Sequence, residues 1–162
     1  MTVHYTVKQN FLSMRGSSTI TDAQGNDAYL VKGSLVHIPK QFTLSDASGH
    51  ERMRITKKMI SFLPTFVVSS QNKEVAVIKK RLSVIRAKYD INAMGLEIQG
   101  SWLDMNFSVT KGNKEIAVVD KRWISVMNTY DVAIEDEAYT EIILGLVIAI
   151  NFLKDEESGH NN

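Results

Sequence analysis

The stretch that most constrains this chain is Ile142 to Leu153, IILGLVIAINFL, where only Gly145 and Asn151 interrupt the apolar side chains. At helical pitch Ile142, Leu146 and Ile150 share one face, while Ile143, Val147 and Phe152 lie elsewhere around the cylinder. No face is polar, so a helix here has to be buried on all sides. A membrane anchor is the competing reading. A bilayer core of about 30 Å needs roughly 20 apolar residues; this run has 12, with Glu141 before it and Lys154, Asp155, Glu156 and Glu157 after it. The sequence therefore predicts a buried helix near 137–154 and no transmembrane segment. The tail 155–162, DEESGHNN, has nothing apolar to dock and is expected to be disordered.

The rest of the chain reads as strands and tight turns. Val3, Tyr5 and Val7 alternate with His4, Thr6 and Lys8, the period of a half-buried strand. From Ser18 a unit of strand, polar turn and strand sets in, with turns at Asp22–Asn26, Asp46–Gly49, Ser70–Lys73 and Lys111–Lys114. The last two units align without a gap. Residues 66–91 lie over 107–132 with eleven of 26 positions identical, an internal repeat with an offset of 41 residues.

Repeated antiparallel hairpins leave edges, and closure into a barrel removes them. About 12 strands fit between residues 3 and 134, more than the roughly eight whose own side chains can fill a barrel. The lumen then needs a plug, and one apolar helix about 10–12 Å across supplies it. The expected fold is mainly β: a closed antiparallel barrel of about 12 strands, built from repeated hairpins around a central hydrophobic C-terminal helix. With only two prolines and no low-complexity linker, residues 1–154 are expected to form a single domain.

These residues resemble a family. The start Tyr5–Phe11 (YTVKQNF), the first hairpin with Ile20, Asp22, Gly25, Val31 and Gly33, and the repeated turn-Glu-x-Ala-x-Val-x-Lys arms are its elements. Gly100 ahead of Phe107, Tyr130-x-Val and LVIAI before Asn151 complete the pattern. Together they are similar to the LURP-one-related proteins, which group with the tubby C-terminal domain and the phospholipid scramblases. The resemblance implies a 12-stranded barrel around a C-terminal helix; for function it implies little, since tubby domains bind phosphoinositide headgroups and scramblases associate with membranes, while many LURP-one-related members have no assigned activity. It implies no catalytic set. Asn151 stands where many relatives are expected to carry Asp.

Composition excludes more than it assigns. A net charge of +1 gives no bulk attraction to nucleic acid, and no aromatic series accompanies Trp102 and Trp123, which read as packing residues. The absence of cysteine removes disulfides, thiolate nucleophiles and zinc–thiolate sites. The start MTVHYTVKQN lacks a secretion pattern, and a cytoplasmic location is expected. His4, His37, His50 and His160 share no metal-ligand spacing, and no nucleophile-elbow motif is present, so neither a catalytic site, a cofactor nor a metal is expected. Glu135, Asp136, Glu137 and Glu141 crowd the helix start. They suit a hard cation, but they equally complement the positive helix terminus, with Asp136 or Thr140 as a cap.

The candidate binding residues are basic pairs. Lys57-Lys58, Lys80-Arg81 and Lys121-Arg122 fall at the same point of three hairpin units, Lys32 matches in the first, and Arg86 and Lys88 lie nearby in sequence. Equivalent points of repeated hairpins reach similar heights, so these charges form a stripe or rim for phosphate headgroups or an anionic partner protein. The plainer reading is that they keep strand ends solvated. The leading function is a non-enzymatic binding or tethering domain. The alternative is an enzyme or small-ligand carrier with a site at the barrel mouth.

Overall fold

The computed structural model describes residues 1–8, 17–34, 40–60, 63–81, 88–124 and 127–159. Twelve strands run in chain order: β1 (Val3–Lys8), β2 (Ser17–Asp22), β3 (Asp27–Gly33), β4 (Gln41–Asp46), β5 (Glu51–Ile60) and β6 (Leu63–Ser70). They continue with β7 (Lys73–Arg81), β8 (Lys88–Asn92), β9 (Leu96–Ser101), β10 (Asn106–Lys111), β11 (Lys114–Ile124) and β12 (Met127–Ile134). A 3-10 turn, Glu137–Tyr139, leads into the helix α1 (Thr140–Gly159).

All twelve strands belong to one sheet in the order β8-β7-β6-β5-β4-β3-β2-β1-β12-β11-β10-β9. Strands adjacent in sequence are adjacent in space, and β1 zips onto β12 from Val3↔Ile134 to Lys8↔Thr129. The sheet curls until β8 and β9 meet. There the described residues contain one isolated bridge, Ala93↔Leu96, with the Leu96 N–H donating to the Ala93 carbonyl at 2.9 Å. The expected closed barrel is thus a nearly closed one. Beyond the Met94–Gly95 turn the two short edge strands diverge, and the 3-10 turn Trp102–Asp104 packs on α1 beside the seam.

The repeat has a structural counterpart. Hairpins β2–β3, β4–β5, β6–β7 and β10–β11 each carry a register shift, at Ile20/Thr21, Leu44/Ser45, Val68/Ser69 and Val109/Thr110. Such bulges bend a strand and increase its twist, so a repeated bulge gives a repeated curl. The first two turns are also alike. The Asp22 carboxylate accepts from the Gln24 and Asn26 N–H groups at 3.0 and 2.9 Å, and that of Asp46 from Ser48 and His50 at 2.9 and 3.0 Å. Gly25 and Gly49 then take φ of +85° and +87°, a region that favours glycine.

Helix α1 fills the barrel. Every residue from Ile142 to Leu153 is buried, against inward-facing side chains such as Val7, Ile20, Leu44, Ile55, Ile78, Val109 and Val119. Phe152 stands edge-on to Phe42 and Phe66, with ring centroids 4.9 and 5.4 Å away. At Gly145 the helix comes so close to the wall that a Cβ would sit 2.9 Å from Val68 Cγ1.

The helix bounds differ from those expected. Residues 137–139 form the 3-10 turn, and α1 continues five residues past Lys154, to Gly159. The expectation of a disordered tail from 155 is corrected for 155–159: polarity removes a docking face, but Asp, Glu and Ser continue the backbone hydrogen bonding of a helix already nucleated by its buried part. Residues 160–162 lie outside the described residues. No helix among the described residues is long and apolar enough to cross a membrane.

Candidate functional site

The two ends of the barrel differ in charge, and the strand directions explain how. Strands β3, β5, β7 and β11 all leave the end carrying the Asp22, Asp46, Gln71–Asn72 and Gly112–Asn113 turns, and α1 runs the same way. Its start is tied to β5 by Arg52 Nε, which donates to Glu141 Oε1 at 2.7 Å. Its last buried turn lies at the opposite end, where Lys40 Nζ is 5.0 Å from the centre of the Phe152 ring.

That opposite end collects the basic residues. Lys57 continues the inward series Met53, Ile55; Lys80 continues Ala76, Ile78; Lys121 continues Ala117, Val119. All three are half-buried and make interactions within the protein. Lys121 is paired in register with Tyr130, whose hydroxyl bonds to Asn151. The Lys57 N–H donates to the Lys40 carbonyl at 3.0 Å, adding Lys40 to the group. Lys32 is exposed on β3.

Lys58, adjacent to Lys57, takes the other face of the sheet and is exposed. It lies directly opposite Thr65 on β6, and Thr65 lies opposite Lys79 on β7. These three line an outer groove of about 470 Å³ together with Val67, Glu74 and Val77. Neither lysine has an ion pair among the described residues. Arg81 and Arg122 are placed in β7 and β11 by backbone alone; their side chains, that of Trp123, and all of Arg86, His37 and His160 lie outside the described residues. Sequence reasoning missed Lys40 and Lys79. The internal repeat could not flag Lys79, because the offset of 41 sets it over Asp120.

At the turn end the acidic cluster is largely structural. Asp136 caps the 3-10 turn by accepting from the Ala138 N–H at 3.1 Å, Glu135 accepts from the Thr2 hydroxyl, and Glu141 pairs with Arg52. Among the described residues no group of His, Asp and Glu is arranged to hold a metal ion. His4 and His50 pair instead with Asp131 and Asp46, at 3.2 and 3.6 Å. Tyr5, Tyr29, Arg52, Glu137, Thr140 and Glu141 surround a cleft of about 370 Å³. Burial first, then the nearby carboxylates of Glu137, Asp22 and Glu141, raises the Tyr5 phenol above its ordinary range. Tyr29 is pushed up to about 12, again by burial first and then by Glu141.

A family model described as LURP-one-related matches residues 3–151. The chain belongs to the LURP-one-related family. A curated relative is the uncharacterized protein YxjI of Bacillus subtilis (strain 168), 25% identical over 154 residues that cover 93% of this chain and 94% of that protein. Among solved structures, an X-ray structure of a protein from Arabidopsis thaliana superposes with a TM-score of 0.60 at 16% identity, covering 93% of this chain and 91% of the other. That likeness is one of fold. The LURP-one-related family thus accounts for the barrel and its central helix.

Proposed function

We propose that this LURP-one-related protein is a non-enzymatic, cytoplasmic binding or tethering domain whose basic end contacts the phosphate headgroups of an anionic membrane. The observation that supports this reading is the gathering of lysines on the barrel wall at one end. Lys32, Lys40, Lys57, Lys58, Lys79, Lys80 and Lys121 gather on the barrel wall at the end to which α1 runs, where the helix itself carries Asp155, Glu156 and Glu157, while Glu135, Asp136, Glu137 and Glu141 crowd its start beside Arg52 and Lys111. A near-neutral protein with separated charge approaches an acidic surface in one orientation. Each lysine near such a surface contributes about 1 kcal/mol, and the attraction fades beyond a Debye length. The half-buried lysines, already engaged within the protein, hold the strand ends in place, whereas Lys32, Lys58 and Lys79 face outward for contact.

The test is co-sedimentation with vesicles of phosphatidylcholine alone and with increasing phosphatidylserine. Binding is expected to rise with the acidic fraction and to fall steeply as salt is raised from about 0.05 to 0.5 M. Equal binding to neutral vesicles, or none to acidic ones at low salt, would contradict it.

A further inference from the structure

We propose that the cleft at the amino end of α1 is a binding site for a small organic ammonium ion, held by the Glu137 carboxylate, the hydroxyls of Tyr5, Tyr29 and Thr140, and the tyrosine rings. The site lies at the far end of the barrel from the basic group and does not depend on the membrane reading.

The groups present are unusual for a merely structural surface. Thr140 keeps only 6% of its surface and lines the cleft, yet its hydroxyl has no hydrogen-bond partner among the described residues. The Thr140 hydroxyl opens to the cleft, since the buried side-chain oxygen left without a partner among the described residues is that of Thr110, and a threonine at a helix start ordinarily caps. Here Asp136 has taken the capping role. The half-buried hydroxyls of Tyr5 and Tyr29 are likewise without hydrogen-bond partners among the described residues. Their rings stand edge to face with centroids 5.9 Å apart. Three hydroxyls thus border one cleft without bonding to each other or to the wall.

The charge selects the ligand's sign. Arg52 is the one guanidinium in the cleft, and its Nε is already committed to Glu141 at 2.7 Å. Glu137 is exposed and has no partner among the described residues. The carboxylates of Asp22 and Asp46 stand on the adjoining turns and stay ionised through their backbone hydrogen bonds. Burial is the larger cause of the upward shifts of Tyr5 and Tyr29, with the nearby carboxylates adding to it and Arg52 opposing it at Tyr29.

The donor set distinguishes an ammonium from a metal. Calcium takes six to eight oxygen ligands, several from carboxylates, whereas this cleft offers one uncommitted carboxylate and three neutral hydroxyls. An ammonium has up to three N–H donors and is attracted to ring faces. About 370 Å³ suits a small molecule and exceeds what a bare ion needs.

The test uses the full chain with putrescine and n-propylammonium as probes, and inorganic phosphate at equal ionic strength as the control. Titrations follow the backbone amide NMR signals of Thr140 and Glu141. Saturable shifts with both amines and none with phosphate are expected. Glu137→Gln, a change at an exposed position, should weaken binding at least about tenfold, the value of a charge-assisted hydrogen bond. Thr140→Val should weaken it about threefold while Thr140→Ser restores it. Shifts that grow linearly without saturation, equal titration of the Glu137→Gln variant, or saturation by phosphate instead would each overturn the proposal.

Discussion

The Tyr130 hydroxyl donates to Asn151 Oδ1 at 3.0 Å, and neither side chain has any solvent exposure. This bond ties the last buried turn of α1 to β12, one strand from Lys121, so it anchors the plug where the basic end begins. A buried polar atom deprived of its partner costs about 1–3 kcal/mol, while removing both partners costs less than the sum. Tyr130→Phe and Asn151→Leu should each lower unfolding free energy by about that amount in urea titrations. The double variant should be more stable than additivity allows. Strict additivity would show that the bond contributes nothing to the anchoring.

Gly145 tests the fit of the plug against the wall. Alanine is the better helix former by about 1 kcal/mol. Its Cβ, however, would meet Val68 Cγ1 at 2.9 Å, and Val68 is fully buried with nowhere to move. Overpacking a tight core costs about 1–3 kcal/mol, so Gly145→Ala should be net destabilising. The penalty should shrink in a Val68→Ala background. A stabilised Gly145→Ala protein in thermal melts would mean that the helix sits farther from β6.

The twin turns make a pH prediction. Backbone hydrogen bonds, from Asn26 to Asp22 and from His50 to Asp46 first among them, hold both carboxyls below the usual range. A folded value depressed below the unfolded one of about 3.9 stabilises the fold above that pH. The contribution is lost as pH falls through the lowered folded values. Carboxyl-carbon NMR titration should place both groups below about 3.9, the value of an aspartate in an unstructured peptide. Ordinary or raised values would contradict the hydrogen-bonded turns.

Much of this architecture is legible in the residues, and the rest is hidden for physical reasons. The apolar run on all faces of α1 and the strand alternation require a wrapped helix, and the 41-residue repeat reappears as matched bulges at Val68 and Val109. The seam is not legible, because it depends on where β8 and β9 stop pairing and not on their composition. The basic pairs illustrate the limit most clearly. Read as a unit, Lys57-Lys58 looks like one patch, but neighbours on a strand face opposite sides, and one lysine turns inward. The cleft is less legible still, since Tyr5, Tyr29, Arg52 and Thr140 come from four elements and no spacing links them.

The most direct test of the proposed function separates where charge is reversed from how much. Lys58→Glu with Lys79→Glu alters two exposed outer lysines at the basic end; Lys73→Glu with Lys114→Glu changes net charge equally at the opposite end, also at exposed positions. Partitioning of both variants onto phosphatidylserine vesicles at low salt is the measurement. At about 1 kcal/mol per lysine the first pair should lose at least about tenfold, and the second should stay within about twofold of the unmodified protein. Equal losses from the two pairs would contradict an oriented basic end and leave only net charge at work.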